Sequence, residues 1–188
     1  MHIELTDHLR CPADHDEAFL VLIPERMDGR QVVAGHLGCP VCGWACGWSD
    51  EVPAFDQAPY SAGRPPFDAE AAIALLGING PGGWLALAGR AGALAHALAA
   101  LLPGVRMVAV NPPEGVQSND VVSVIRSSIW PIKRHSMRGV LLGEGDDNKD
   151  EAAGSVLPGL RAVGEGDPPG RTDGEIVASA PGIWVVRV

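Results

Sequence analysis

The chain has 188 residues, 46% of them hydrophobic, and a formal net charge of −9 from 14 Lys and Arg against 23 Asp and Glu. That apolar content suffices for a buried core and excludes a wholly disordered chain, while the acidic balance repels a polyphosphate backbone and argues against nucleic acid as the default partner. Apolar runs are broken by charge, Gly or Pro before a membrane span is complete, and Met1-His2-Ile3-Glu4 carries no basic leader, so the expected setting is cytoplasmic, away from membranes.

All the cysteines, Cys11, Cys39, Cys42 and Cys46, fall in the first quarter of the chain. In a cytosolic protein such crowding favours a metal over disulfides. Cys11-Pro12-Ala13-Asp14-His15 and Cys39-Pro40-Val41-Cys42-Gly43 have the spacing of two zinc-ribbon knuckles, in which a Cys-Pro start turns backbone amides toward thiolate sulfur. Between them, 18–23 and 30–37 are short β-branched runs separated by Met27-Asp28-Gly29, which predicts a hairpin. Zinc takes four N or S ligands in a tetrahedron, and a module this small has too little core to fold without it.

The predicted ligands are Cys11, His15, Cys39 and Cys42. The fourth position stays open: Asp14 stands where a second knuckle sulfur is expected, His15 is preferred because imidazole is the commoner ligand, and Cys46 and His36 are reserves. A closed tetrahedron leaves no place for an activated water, so the zinc is expected to be structural. Trp44 and Trp48, on either side of Cys46, share one face if 44–48 is extended, and read as caps on a small core.

Residues 56–66 hold several prolines and read as a surface connection. The expected organisation is a zinc ribbon over 1–56, a linker over 57–67 and an α/β body over 68–188. In the body, Asp68 caps a helix running to Leu76 and Gly77, after which comes the Gly80-Pro81-Gly82-Gly83 turn. Strand 84–88, a turn at 89–92, helix 93–102, a Pro103-Gly104 stop and strand 105–111 form a βαβ unit. Further strands are predicted at 121–125, 139–142 and 161–164. A closing hairpin spans 175–180 and 183–188 with Pro181-Gly182 at its turn. Alternating strands and helices predict a mainly parallel, doubly wound Rossmann-like sheet with an antiparallel C-terminal edge.

Four segments, in order along the chain, resemble one family. Asp50-Glu51-Val52-Pro53-Ala54-Phe55 resembles an Asp-Gly-Ile-Pro-x-Phe ribbon exit, and Leu85 to Gly92 resembles a glycine-rich first motif. Trp130-Pro131-Ile132-Lys133-Arg134-His135-Ser136-Met137-Arg138-Gly139-Val140 resembles a Leu-Pro-Phe-x-x-x-Ser-Phe-Asp-x-Val run into a fourth strand. Val156-Leu157-Pro158-Gly159-Leu160-Arg161 resembles a Leu-x-Pro-Gly-Gly-Arg turn before a fifth. The whole is similar to a class I S-adenosylmethionine-dependent methyltransferase with an N-terminal zinc ribbon. The resemblance implies S-adenosylmethionine as cofactor and cofactor-binding positions at Ala88, Gly89, Gly92 and Asn111; it assigns no catalytic residue.

Departures from the pattern bear on activity. An apolar run replaces the family's acidic residue before the glycine turn, and Arg90 stands beside the central glycine, where its side chain competes with the cofactor. Asn111 takes the place of the acid that accepts both ribose hydroxyls, and Arg126 takes that of the acid that meets adenine, although Arg cannot accept a hydrogen bond. The cofactor pocket therefore reads as degenerate. The leading functional reading is a non-catalytic binding, scaffold or partner subunit that engages a protein partner or forms a homo-oligomer. The alternatives are an active methyltransferase with atypical contacts and a nucleic-acid-binding ribbon.

Other candidates read as structure. Asn111-Pro112-Pro113 is expected to be a loop. Glu144, Asp146, Asp147 and Asp150 read as a solvated charge run more than a magnesium site, His96 as a tolerated helix residue, and Lys133, Arg134, His135 and Arg138 as a small basic patch.

Overall fold

The computed structural model describes residues 1–144, 148–170 and 174–188. A 3-10 turn, Ile3–His8, opens the chain, with the Nδ1 of His2 accepting the Glu4 N–H at 3.2 Å. Three antiparallel strands follow in the order β1 (Val21–Asp28), β2 (Gln31–Gly38) and β3 (Ala45–Ser49). The predicted hairpin forms, but Met27 and Asp28 belong to β1. Asp28 pairs with Gln31, which leaves Gly29-Arg30 as the connection. Gly29 sits at φ 55°, in the left-handed region that a tight hairpin demands of its first turn residue.

The body begins with α1 (Ala69–Leu76). The Asp68 carboxylate accepts the Ala71 N–H at 2.9 Å, and Gly77 ends the helix at φ 67°. Next come β4 (Trp84–Ala88), a 3-10 turn (Gly89–Leu94) continuing into α2 (Ala95–Leu101), β5 (Arg106–Val110), β6 (Val122–Ile125) and β7 (Met137–Leu142). The chain closes with α3 (Lys149–Gly154), β8 (Val156–Glu165), β9 (Glu175–Ala180) and β10 (Ile183–Arg187).

The large sheet has the order β6-β5-β4-β7-β8-β10-β9. Strands β4 to β8 pair in parallel, and β10 runs antiparallel to both β8 and β9. The doubly wound expectation and its antiparallel edge hold. The topological switch point lies at β4, flanked by β5 on one side and β7 on the other, and such folds bind ligands beyond the carboxyl ends of the strands there. Two local expectations shift. The helix read as starting at residue 93 begins as a tighter turn at Gly89, and 156–161, read as a turn, is the start of β8, with its Pro158-Gly159 kink absorbed as a register shift against β7.

Alternate side chains of the sheet face two different partners, as the period of a strand requires. On one face Leu85, Leu87, Met107, Val124 and Leu141 pack with α1 and α2. On the other, Trp84, Ala86, Val108, Val140 and Trp184 share one buried cluster with Leu5, Leu9, Leu37 and Trp48. The segment read as a ribbon therefore covers this sheet face together with α3, whose Ala152 and Ala153 lie in the same cluster, and shares a core with the body. The rings of His2 and His8 lie 5.8 and 5.7 Å from Trp84, and the Arg106 guanidinium, held by Glu4 at 2.5 Å, lies over the same indole. Among the described residues no helix is long and apolar enough to cross a membrane.

Candidate metal centre and cofactor cleft

The two knuckles converge. Cys11, His15, Cys39 and Cys42 offer ligand atoms that all lie within 4.8 Å of one another. The Sγ atoms of Cys11 and Cys42 are 3.7 Å apart, and Cys39 Sγ is 3.5 Å from His15 Nε2. A tetrahedral zinc with bonds of about 2.3 Å to sulfur and 2.0–2.1 Å to nitrogen separates its ligands by about 3.8 Å (S to S) and 3.6 Å (S to N). The donor set and its spacing fit that ion.

Local structure supports the same arrangement. The Ala13 N–H donates to Cys11 Sγ and the Trp44 N–H to Cys42 Sγ, each at 3.5 Å, as knuckle amides should. The other ring nitrogen of His15, Nδ1, lies 2.6 Å from the Asp16 carbonyl, which orients Nε2 toward the sulfurs. Asp14 is outside the group. Cys46 points away and donates its thiol proton to the Ala54 carbonyl at 3.0 Å, while His36 sits 3.0 Å from Glu25 on the outer strand surface. Desolvation raises the Cys46 thiol pKa above its ordinary value, which suits a protonated packing residue. Trp48 is buried and donates to the Val32 carbonyl at 3.3 Å. Trp44 precedes β3 and packs on Phe55 with ring centroids 4.9 Å apart, so both indoles cap cores.

Beyond the carboxyl ends of β4, β5 and β6, the positions singled out from the sequence are engaged by the chain itself. Ala88 is fully buried, and its carbonyl accepts the Gly143 N–H at 3.0 Å. Arg90 donates through Nε to Glu165 at 3.0 Å and through a terminal nitrogen to Glu144 at 2.8 Å and the second Glu165 oxygen. Pairing with Glu165 holds the guanidinium pKa above its ordinary value. Both ends of the Asn111 amide are bonded to one residue: Oδ1 accepts the Ser127 N–H at 2.9 Å and Nδ2 donates to the Ser127 carbonyl at 2.6 Å. Arg126 donates to the Ala58 carbonyl, through Nε at 2.8 Å, and lies 4.8 Å from the centre of the Tyr60 ring.

Residues 53–61 form a strap across these strand ends. Phe55 N–H donates to the Arg126 carbonyl at 2.8 Å and Arg126 N–H to the Pro53 carbonyl at 2.9 Å. The Asp56 carboxylate accepts the Ser128 hydroxyl at 2.5 Å, the Ser128 N–H at 2.9 Å and the Ala58 N–H at 2.8 Å. Desolvation works to raise its pKa, but the Ser128 and Ala58 hydrogen bonds bring it below the usual carboxylate range. Ser61 N–H reaches the Pro112 carbonyl at 3.2 Å. The two turn glycines meet this same chain. A Cβ on Gly89, which has φ 59°, would lie 3.3 Å from Ser61 Oγ, and one on Gly92 would lie 2.5 Å from Pro112 Cβ. Backbone bareness here admits the chain's own strap and loop.

The sequence pattern missed the strap, because its prolines read as a spacer, and it missed Glu165 and Ser127 as partners of Arg90 and Asn111. No short motif marks such long-range pairs. Asn111-Pro112-Pro113 is a loop, as expected. His96 is exposed, its Nδ1 3.3 Å from Asn119 Nδ2. Two side chains of the basic run are directed at the chain itself, Lys133 donating to the Asp7 carbonyl at 2.9 Å and Arg138 to the carbonyls of Gly80, Pro81 and Gly82 at 2.8–2.9 Å, while the backbone N–H of Arg134 donates to the Glu17 carboxylate at 2.9 Å. His135 Nδ1 lies 3.1 Å from the Val156 carbonyl. Of the acidic run, Glu144 pairs with Arg90, while Asp146 and Asp147 lie outside the described residues.

No protein-family model matches the chain, and no curated protein matches it at a significant level. Among solved structures it is similar to a geranyl diphosphate methyltransferase in complex with GPP and sinefungin, at 19% identity and TM-score 0.43 over 51% of this chain and 42% of that one. A putative methyltransferase from an antibiotic biosynthesis pathway of Anabaena variabilis gives 18% and 0.42 over 52% and 43%. The complex between the Haloferax volcanii Trm112 methyltransferase activator and a putative methyltransferase gives 18% and 0.42 over 51% and 49%. The chain thus spans less than half the length of each. The fold class rests on the strand order of the chain itself.

Proposed function

We propose that this methyltransferase-fold chain with a zinc ribbon is a non-catalytic member of its fold that acts as a binding or scaffold subunit for a protein partner. The observation that carries the reading is the fate of Arg90, Asn111 and Arg126. Each stands where the fold's cofactor contacts belong, and each is engaged with Glu165, Ser127 or Ala58 of the same chain. The Asn111 amide spends one N–H and one lone pair on Ser127 and lacks the pair of free acceptor oxygens that a carboxylate offers to both ribose hydroxyls, and the strap over 53–61 crosses the strand ends beside it. On this reading S-adenosylmethionine would have to displace the strap to reach the strand ends. The ribbon, with zinc on Cys11, His15, Cys39 and Cys42, then serves as one layer of the fold and has no open coordination position for chemistry.

A thermal-shift titration with S-adenosylmethionine tests the reading. A ligand at about 100 times its dissociation constant stabilises by roughly 2.7 kcal/mol, which for a chain of this length raises the melting temperature by roughly 5–11 °C. The expected shift is none. A saturable rise of that size would instead favour an active methyltransferase with atypical contacts.

A further inference from the structure

The thiols of the chain differ in how solvent reaches them. Cys11, Cys39 and Cys46 are buried, and Cys42 is exposed. Cys42 stands on the outer loop of the second knuckle, where Pro40, Val41 and Gly43 are exposed as well, Val41 to 68%. A small oxidant therefore meets Cys42 first. The thiol of the other knuckle, Cys11, has its Sγ 3.7 Å away, 31 positions back along the chain. Both belong to the ligand set of the metal centre, and a coordinating thiol is held as the thiolate, which is its nucleophilic form.

The other two thiols are set apart from this pair. Cys39 Sγ faces His15 Nε2 at 3.5 Å, and Cys46 donates to the Ala54 carbonyl at 3.0 Å. Bonding Cys11 to Cys42 closes their sulfurs from 3.7 Å to about 2.05 Å, a travel that side-chain rotation supplies. Such a crosslink ties the same two knuckles that the metal ties. Cys11 also shares the buried cluster of Leu5, Leu9 and Leu37, so the staple acts where the ribbon meets the sheet.

The geometry points to a reversible redox switch in the ribbon: hydrogen peroxide oxidises Cys42 and Cys11 to a disulfide, and the metal is given up while the knuckles stay joined. In the first step the Cys42 thiolate attacks one peroxide oxygen, the O–O bond breaks, and a sulfenic acid forms at Cys42 as hydroxide leaves. In the second the Cys11 thiolate attacks that sulfur, the S–S bond forms, and the S–O bond breaks with loss of a second hydroxide. The sulfurs give up two electrons, the peroxide takes them, and solvent protonates the hydroxides. Cys39 and His15 then offer two ligands of the four a tetrahedral site needs, and Cys39 takes up a proton as a free thiol. A thiol reductant together with zinc reverses the sequence. The inference rests on the ligand set of the metal centre and is independent of what the cofactor cleft binds.

The test is titration of the zinc-loaded full chain with hydrogen peroxide beside the zinc dye pyridylazoresorcinol, followed by non-reducing peptide mapping, with zinc content measured beforehand. Release of about one zinc per chain is expected at about one equivalent of peroxide. The map should show one crosslink, joining Cys11 to Cys42, with Cys39 newly open to alkylation, and dithiothreitol should restore zinc uptake. Cys46→Ser should respond as wild type does. On heating, the oxidised chain should melt below the zinc-loaded chain and above the reduced chain stripped by a chelator, because the crosslink closes a loop of 31 positions in the unfolded state. Zinc retained under excess peroxide, a disulfide joining Cys39 to Cys42, oxidation of Cys42 to the sulfinic acid without a crosslink, or an oxidised chain that melts with the stripped one would each overturn the inference. A chain free of zinc before oxidation would overturn it together with the ligand set, so the two failures are told apart.

Discussion

Replacing Cys39 by Ser removes one of the ligand atoms that cluster within 4.8 Å, and the effect should reach well beyond the ribbon. Cys39 belongs to the same buried cluster as Leu37, Trp48 and, on the sheet, Trp84 and Val108. A structural zinc contributes about 10–16 kcal/mol in finger peptides, so a ribbon that loses it opens. Opening uncovers Leu5, Leu9 and Leu37, each fully buried. At about 1.5–3 kcal/mol apiece these alone represent roughly 4.5–9 kcal/mol, comparable to the whole net stability of a typical domain of about 5–15 kcal/mol. The sheet should therefore melt with the ribbon. The assay pairs zinc analysis with circular dichroism and tryptophan fluorescence on heating. Wild type should retain about one zinc per chain and melt in one transition, and Cys39→Ser should lose the zinc and unfold at a much lower temperature by both probes. Cys46→Ser should keep the metal, because that thiol faces Ala54. Full zinc in Cys39→Ser would refute the ligand set. A sheet transition unchanged after metal loss would refute the shared core.

Further outcomes follow from single contacts. Gly92→Ala places a Cβ 2.5 Å from Pro112 and should destabilise by about 1–3 kcal/mol in urea unfolding; a change under about 0.5 kcal/mol would mean that the loop yields freely. Burial lowers the His8 pKa, and its Nδ1 has no partner. The folded protein then binds this proton less readily than the unfolded chain, so stability should fall as pH drops below about 6.5; His8→Gln should flatten that slope in melts run at successive pH values. Asp56 has the opposite dependence: its lowered pKa contributes stability above the unfolded value of about 3.9 that is lost as pH falls through the folded value. Asp56→Asn should cost about 1 kcal/mol at neutral pH after solvent screening, and the difference from wild type should vanish in acid.

Much of this architecture is legible in the sequence because it is written in local signals. The Cys-Pro knuckles, the Asp68 cap, the Gly77 stop and the alternation of apolar strands with turns each act within a few residues. What the sequence conceals is long-range. Nothing near Leu5 or Leu37 says that their partners are Trp84 and Val108, because an apolar face is blind to its destination. The segment 56–61 carries the marks of a spacer, since its function as a strap depends on Ser128 and Arg126, far away in the chain. Arg90, Asn111 and Arg126 were visible as departures from a pattern. Their occupants, Glu165, Ser127 and Ala58, were not, because they lie 75, 16 and 68 residues away along the chain.

The most direct test of the closed cleft is calorimetric titration of the zinc-loaded protein with S-adenosylhomocysteine, with zinc content and a cooperative melt checked on the same sample. The account predicts no saturable heat up to millimolar ligand, because the strap crosses the strand ends and Arg90, Asn111 and Arg126 are engaged with Glu165, Ser127 and Ala58. Binding in the micromolar range would contradict it, showing that residues 53–61 release the strand ends and that Arg90, Asn111 and Arg126 can serve a cofactor after all.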